Sequence, residues 1–207
     1  TLAGKSFRGT TAGVTAATLT GLSFLTALVL YATGSPIHPP HLGPFTWIAA
    51  AGFKASFGLQ ADALSMTMLL MVTGVSTVIH VYAIGYMKGD DGFSRFFSYM
   101  NLFVFFMLLL VAADNYLLVF AGWEGVGLCS YLLIGFWFRN PEYAKAADKA
   151  YIMNRIGDLG FILAIATLFL SLGTLNFSEI AFKLTRAETA VPVTLIAFFL
   201  LTGAVGK

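Results

Sequence analysis

The stretch that most constrains the fold is residues 114–137, which read DNYLLVFAGWEGVGLCSYLLIGFW. Its apolar run exceeds the roughly 20 residues that a helix needs to cross a bilayer. One acidic residue, Glu124, interrupts that run, and a charge in the middle of a membrane helix costs about 2.5–3.5 kcal/mol. The stretch therefore predicts a membrane-spanning helix that carries a shielded carboxylate.

The composition of the whole chain points to the same class of protein. Of 207 residues, 58% are hydrophobic and 11% are charged, whereas a soluble domain has about a quarter charged residues. This excludes a soluble globular enzyme and a disordered chain. The single Cys129 excludes an internal disulfide and a four-thiolate metal or iron–sulfur site. A net charge of +2 gives no indication of a nucleic-acid partner, so the expected surrounding is a lipid bilayer.

Six apolar stretches approach or reach the spanning length: 10–33, 62–86, 94–113, 115–138, 150–171 and 191–207. They predict an all-α polytopic membrane protein in which residues 1–207 form a single membrane domain. Basic residues are unequally divided between its two sides. Seven lie on one side (Lys5, Arg8, Lys88, Arg95, Arg139, Lys145 and Lys149) and three on the other (Lys54, Lys183 and Arg186). The positive-inside rule therefore predicts that the N-terminus and the loops 87–95 and 139–149 are cytoplasmic.

Two loops on the outer side have predicted structure of their own. Residues 53–60 alternate between apolar and polar, and Ala51-Gly52 can turn the chain, so a small β-hairpin with residues 47–49 is expected. Residues 176–190 predict an amphipathic helix capped by Asn176 or Ser178. Its apolar face comprises Phe177, Ile180, Ala181 and Leu184. Both loops are interpreted as lids on the bundle. His38 and His41, in a proline-rich loop, are a weak indication of a metal site.

Ionisable residues inside the spans are the candidate functional residues, because each is costly there and needs a partner or water. Glu124 is flanked by Gly122, Gly125 and Gly127, which would let a neighbouring helix or water reach it; a permanent structural ion pair is the alternative. Arg155 and Asp158 share a helical face, either as a self-neutralised pair or as one that opens and closes. Lys207 follows Gly203 and Gly206, which indicates a broken helix lining a cavity, or else a lysine that reaches the interface.

The remaining polar residues give weaker indications. His80 is interpreted as a hydrogen-bonded packing residue or as a proton relay. Asp90, Asp91, Asp114 and Asp148 are expected in loops or at helix ends, where charge costs little. Tyr82, Tyr86, Trp137 and Tyr143 are expected to be interfacial anchors. No nucleotide-binding glycine motif or nucleophile elbow is present in the sequence, so the buried charges indicate an ion or proton pathway.

Three strings carry a resemblance to a known family: residues 114–137, residues 149–161 (KAYIMNRIGDLGF) and residues 80–87 (HVYAIGYM). They resemble the L subunit family of respiratory complex I, NADH:quinone oxidoreductase, which includes the fifth membrane subunit of the mitochondrial enzyme. The resemblance implies an antiporter-like helix bundle. It implies that Glu124 is the proton-handling glutamate of the fifth transmembrane helix and Lys207 the lysine of the discontinuous seventh. Arg155 and Asp158 would couple to a neighbouring antiporter-like subunit, and the role of His80 stays open.

The resemblance also implies a setting for the chain. No redox cofactor is expected in it, and FMN, iron–sulfur clusters and quinone are expected in partner subunits of the complex. The expected location is the bacterial inner membrane, or alternatively an organellar inner membrane. The chain is expected to be an N-terminal-half fragment that lacks the family's first helix, with residues 62–207 forming most of the first repeat, truncated at Lys207.

Two other functions stay open. The first is the large subunit of a multisubunit cation/proton antiporter, although the helix-five motif of that family lacks the Gly125-Val126-Gly127 run found here. The second is a structural membrane subunit that conducts nothing.

Overall fold

The computed structural model describes residues 10–33, 42–50, 53–186 and 191–207. Its elements in chain order are α1 (Thr11–Thr33), β1 (Leu42–Ala50), β2 (Phe53–Leu59), α2 (Ala63–Tyr86), α3 (Phe93–Ala112), α4 (Tyr116–Ile134), α5 (Pro141–Leu172), α6 (Phe177–Thr185) and α7 (Val193–Gly206). The predicted all-α membrane bundle with a small β-hairpin is confirmed.

Each of the six predicted apolar stretches contains a helix. In the described ranges, five helices (α1 to α5) are long and apolar enough to cross a membrane. The predicted sixth span, 191–207, contains α7, which has 14 residues and is therefore about 21 Å long. The helix begins two residues after the predicted start at residue 191, because Val191 and Pro192 have apolar character but lie outside it. Pro192 has no N–H group and takes the position before the first helical residue.

Helix α5 begins at Pro141 rather than at residue 150, so most of the predicted 139–149 loop is helical. The side chain of Asn140 accepts a hydrogen bond from the Glu142 N–H (3.0 Å), and Pro141 occupies the first turn, where its missing N–H costs nothing. Apolar content could not show this start, because the first turns are polar. With 32 residues the helix is about 48 Å long, which exceeds the hydrocarbon thickness of about 30 Å. Its first turns therefore project beyond the membrane core.

Neighbours along the chain are largely neighbours in space. Helix α1 packs on α2 and α3, α2 on α3, α3 on α4, α4 on α5, and α5 on α7. One apolar cluster joins α5, α6 and α7 through Leu168, Leu172, Ile180 and Ile196. Many large apolar side chains on the outer faces stay exposed, as expected for surfaces that meet lipid or other subunits. Helix α5 thus lies between α4 and α7, and this order positions the charged residues.

The hairpin closes the outer end of α3 and α4. Strands β1 and β2 are antiparallel, with Phe45 opposite Phe57, while the predicted turn residues Ala51 and Gly52 lie outside the described residues. Asp114 was expected to be an inexpensive charge at a helix end, and this was wrong because it is only 9% exposed. Its N–H donates to the Gly58 carbonyl (3.2 Å), and the Asn115 side-chain amide donates to its carboxylate (2.6 Å). The hairpin therefore covers the α3–α4 turn.

Helix α6 confirms the predicted amphipathic helix and its Asn176 cap, which accepts a hydrogen bond from the Ser178 N–H (3.0 Å). Its buried face differs from the prediction: Ile180 is buried, but Ala181 and Leu184 are exposed. The reason is that Lys183 donates a hydrogen bond to the Leu172 carbonyl at the end of α5 (2.6 Å). This contact turns the Ile180 and Lys183 side of α6 toward α5. His38 and His41 lie outside the described residues.

Candidate functional site: a charged junction between α4, α5 and α7

The first contact of the site joins α4 to α5. Glu124, on the third turn of α4, forms an ion pair with Arg155 of α5 through Oε2 and Nη1. The Glu124 side chain is 21% exposed and that of Arg155 is 44% exposed. The sequence predicted that Glu124 needs a partner and did not identify Arg155 as that partner.

Arg155 has two further partners on its own helix. Its Nη1 lies 3.9 Å from Oδ2 of Asp158, so the two residues meet as their spacing predicted. Its Nη2 donates a 2.7 Å hydrogen bond to the Tyr151 hydroxyl, and its guanidinium carbon lies 4.7 Å from the centre of the Tyr151 ring. One guanidinium is therefore shared among Glu124, Asp158 and Tyr151. Sequence reasoning missed Tyr151, although its spacing of four residues from Arg155 was a usable signal.

Asp158 is 4% exposed, and its main partner comes from α4. The indole N–H of Trp123 donates a 2.7 Å hydrogen bond to Oδ1 of Asp158. The interpretation of Arg155 and Asp158 as a self-contained pair is thus incomplete, because each has a closer partner on α4. Two consecutive residues of α4 therefore contact α5: Trp123 binds Asp158, and Glu124 binds Arg155.

Lys207 reaches the same junction from α7. Its Nζ donates a 2.7 Å hydrogen bond to the Trp123 carbonyl and lies 5.1 Å from the centre of the Trp123 ring. Among the described residues no carboxylate lies within 4.0 Å of this amine. Lys207 and Glu124 therefore form no direct ion pair in this structure, although Lys207 contacts the residue that precedes Glu124.

Small residues make the approach of α7 possible. A methyl group built on Gly157 of α5 would lie 2.9 Å from the Gly206 Cα and 3.1 Å from the Gly203 carbonyl oxygen. Larger side chains at this crossing would separate the two helices, as in other tightly packed membrane helices. The glycines of α7 therefore serve the close packing on α5 that brings Lys207 to Trp123.

The three glycines around Glu124 have different neighbours from those expected. Methyl groups built on Gly122 and Gly125 would meet Leu110 and Phe106 of α3, so these two glycines accommodate α3 and not a path to the carboxylate. Of these three glycines, only Gly127 makes room for one of the candidate residues, Lys207. A methyl group on Gly127 would lie 2.7 Å from the Lys207 Nζ.

His80 lies apart from this junction. It is completely buried beside Phe97, with 6.1 Å between the ring centres, and Nδ1 is 2.7 Å from the Ser76 carbonyl oxygen. Nε2 has no hydrogen-bond partner in the described part of the protein. The packing interpretation agrees with these contacts, and a relay role for His80 stays a prediction.

The junction combines two carboxylates and two cations whose contacts are not one-to-one. Arg155 holds Glu124 and reaches Asp158, whereas Lys207 is held by a neutral carbonyl. A change of charge at one of these groups would therefore alter the interactions of the others. The described residues contain no group of three or more histidine, cysteine or acidic side chains that could hold a metal ion.

Two family models match the chain. Residues 47–97 match the model described as NADH-Ubiquinone oxidoreductase (complex I), chain 5 N-terminus. Residues 113–207 match the model described as NADH:quinone oxidoreductase/Mrp antiporter, TM. The second match includes Glu124, Arg155, Asp158 and Lys207, and the first includes His80.

Curated relatives and a solved structure agree with these models. The chain is 49% identical over 167 residues to NADH-quinone oxidoreductase subunit L of Mycobacterium tuberculosis, covering 81% of this chain and 26% of the relative. It is 45% identical over 180 residues to NADH-ubiquinone oxidoreductase chain 5 of Metridium senile, covering 87% of this chain and 30% of that relative. A chain of the Mrp complex from Dietzia sp. DQ12-45-1b superimposes with a TM-score of 0.78 at 25% identity, covering 92% of this chain and 20% of that one.

The chain thus spans between a quarter and a third of the length of these curated relatives. Over that part, both family models and the identities indicate the same assignment. The antiporter-like fold predicted from the sequence is confirmed by the structural likeness. The chain belongs to the family of NADH-quinone oxidoreductase subunit L and NADH-ubiquinone oxidoreductase chain 5.

Proposed function

We propose that this chain is part of a proton-translocating, antiporter-like membrane subunit of NADH:quinone oxidoreductase. The observation that carries the proposal is the Arg155 ion pair with Glu124 inside the membrane bundle, next to Lys207 on the Trp123 carbonyl. Placing two charged side chains inside a membrane bundle costs free energy. Their presence is explained if they carry protons.

The geometry supports a change of partners as the elementary step. Arg155 is already within 3.9 Å of Asp158 while it holds Glu124. Protonation of Glu124 would remove the attraction between Glu124 and Arg155 and leave Asp158 as the remaining carboxylate for the guanidinium. Deprotonated Glu124 would instead attract Lys207, whose amine contacts the preceding residue of α4. In this scheme Glu124 and Lys207 are the proton-carrying groups, and Arg155 and Asp158 form the coupling pair.

The redox chemistry of the proposed complex belongs to other subunits. FMN, iron–sulfur clusters and quinone would be bound there, and charge changes would reach this chain through its membrane neighbours. The half-exposed Arg155 side chain is available to an adjacent antiporter-like subunit. Residues 1–207 would lie in one membrane domain, and residues 62–207 would form most of the first antiporter-like repeat. The proposed location is a bacterial inner membrane, with an organellar inner membrane as the alternative.

A cation/proton antiporter subunit is the second candidate. It is favoured by the family description that includes the Mrp antiporter and by the likeness to a chain of the Mrp complex. The identities of 49% and 45% to complex I subunits favour the redox-driven enzyme.

The test uses the full-length subunit in its assembled complex, reconstituted in proteoliposomes. Glu124→Gln keeps the shape of the side chain and removes its charge and its titration. Quinone reduction and proton translocation should both fall at least about tenfold, which corresponds to about 1.4 kcal/mol on the barrier. Glu142→Gln is the matched control, because Glu142 is 75% exposed at the start of α5.

Each other outcome selects another function. An assembled Glu124→Gln complex that translocates protons at the wild-type rate would mean that the subunit is structural. Cation-dependent proton exchange by a purified assembly without redox subunits would identify the antiporter instead.

A further inference from the structure

A cavity of about 400 Å³ lies where the α2–α3 turn meets the α4–α5 turn. Its charged lining residues are Asp90, Asp91, Arg95 and Arg139, and Trp137 and Phe138 lie beside them. This end of the bundle is the one for which the basic residues predict a cytoplasmic position. The cavity is separate from the charged junction, because none of Glu124, Arg155, Asp158 and Lys207 lines it.

A second, smaller cavity of about 160 Å³ shares Arg95, Phe136 and Phe138 with the first. Its other walls are largely apolar and aromatic and include Tyr99 and Leu132. The two cavities therefore adjoin at these three residues. Together they are called the recess here, with the first cavity as its polar mouth and the second as its apolar extension between α3, α4 and α5.

The two cations of the mouth, Arg95 and Arg139, have hydrogen-bond donors that could bind an anion. In the described part of the chain, no carboxylate lies within 4.0 Å of the Arg95 or Arg139 guanidinium. Arg95 lies over the Phe136 ring (4.7 Å) and the Phe138 ring (5.2 Å), and one of its nitrogens donates a long hydrogen bond to the Phe136 carbonyl (3.4 Å). These contacts hold the guanidinium in place and leave most of its donors free. A phosphate group suits two such guanidinium groups, since their donors match its oxygens.

The anions of the mouth line the same cavity as the cations. Asp90 accepts hydrogen bonds from the Trp137 indole N–H (2.9 Å) and from the Gly92 N–H (2.6 Å). These two bonds, with that from Trp137 the larger effect, hold the pKa of Asp90 below its usual value, and the positive charge of Arg95 also favours the ionised form of Asp90. Asp90 is therefore ionised at neutral pH, and the exposed Asp91 lies next to it. A cationic group is the chemical match for this pair of carboxylates.

The recess also lies at the ends of the predicted spans, where lipid headgroups are expected. It is formed where spans end, between Tyr86 and Phe93 on one side and after Ile134 on the other. Trp137 and Phe138 are exposed there, as are aromatic residues at membrane interfaces. We infer that this recess binds phosphatidylethanolamine, with its phosphate on Arg95 and Arg139, its ammonium group on Asp90 and Asp91, and an acyl chain entering the apolar extension.

The site can be tested in the purified complex by photolabelling. The complex is placed in phosphatidylcholine nanodiscs with phosphatidylethanolamine that carries a diazirine near the glycerol end of one acyl chain. Cross-links should map to peptides that contain Tyr99 and Leu132. Unlabelled phosphatidylethanolamine should reduce them, whereas phosphatidylglycerol and millimolar inorganic phosphate should not.

Variants of the full-length subunit assign the labelling to the recess. Arg139→Ala should reduce it about tenfold, because hydrogen bonds to charged groups contribute a factor of this size. Asp91→Asn should also reduce the labelling, because it removes one of the two carboxylates that would bind the ammonium group. Lys145→Ala is the matched control, since it removes an exposed cation from the same end of the bundle outside both cavities.

Three results would overturn the inference. Equal labelling of Arg139→Ala and Lys145→Ala would show that only bulk lipid is detected. Equal competition by phosphatidylglycerol would exclude recognition of the ammonium group. Competition by inorganic phosphate would identify a site for free phosphate. None of these readouts depends on proton translocation.

Discussion

Asp114 and Glu124 are two shielded carboxylates at the start and in the middle of the same stretch, and their partners differ in kind. Asp114 accepts a hydrogen bond from the neighbouring Asn115 amide, which also donates to the Ser56 carbonyl of the hairpin (2.9 Å). Its own backbone is bonded to Gly58 and Phe177. Glu124 is bound by a charged side chain from another helix.

Burial alone does not distinguish these two carboxylates, whereas the chemistry of their partners does. Asp114 is the less exposed of the two, yet neutral groups fixed by backbone hydrogen bonds surround it. The partner of Glu124 is Arg155, which also contacts Asp158 and Tyr151, and a second cation, Lys207, contacts the preceding residue. The first arrangement contains only neutral partners, whereas the second brings two carboxylates and two cations together from α4, α5 and the end of α7.

The largest effect is expected when α7 is moved away from the junction. Gly157→Leu would place side-chain atoms against the Gly206 backbone, where even a methyl group would be 2.9 Å from Cα. Overpacking of this kind costs about 1–3 kcal/mol or more. We expect a lower unfolding temperature of the assembled complex and loss of proton translocation, with the Asp114 cluster intact. Gly85→Leu is the control, since a Cβ there meets no atom within 4 Å. Equal behaviour of the two variants would contradict the role of close packing.

A smaller effect is expected from Tyr151→Phe, which tests whether the Tyr151 hydroxyl holds Arg155 in place. The variant keeps the ring under the guanidinium and removes the hydroxyl that accepts its 2.7 Å hydrogen bond. Losing this hydrogen bond should cost about 1 kcal/mol, which corresponds to an approximately fivefold slower proton translocation. The pH profile of translocation should also shift, and both are measured in proteoliposomes. Tyr143→Phe, at an exposed position of the same helix, should change neither. An unchanged pH profile in Tyr151→Phe would restrict Tyr151 to packing.

The smallest effect is expected from Asp114→Asn. The amide oxygen can still accept the Asn115 hydrogen bond, and the backbone bonds of residue 114 are unaffected. The free energy of unfolding should fall by about 1 kcal/mol, measured by denaturation of the complex, while proton translocation stays at the wild-type rate. If Asp114→Asn reduced proton translocation as strongly as Glu124→Gln does in an intact complex, the distinction between the two carboxylates would be wrong.

Local features were predictable because they depend on residues close together in the chain. The hairpin followed from the alternation in residues 53–60, the α6 cap from Asn176, and the meeting of Arg155 with Asp158 from their spacing. The strings around Glu124 and Arg155 were sufficient for the family. Helix ends were less accurate, because polar first turns hid the start of α5 at Pro141.

The sequence by itself determined the membrane class, the helix bundle and the identity of the costly charges, since these depend on apolar length and on residue type. Only the tertiary structure decided which charge contacts which. Arg155 reaches Glu124, Trp123 reaches Asp158, and Lys207 reaches the Trp123 carbonyl through the packing of α4 and α7 on α5. These pairings depend on the rotation and separation of helices, which glycine contacts such as Gly157 with Gly206 set. Helical periodicity specifies the face that a residue occupies, but not the helix that the face meets.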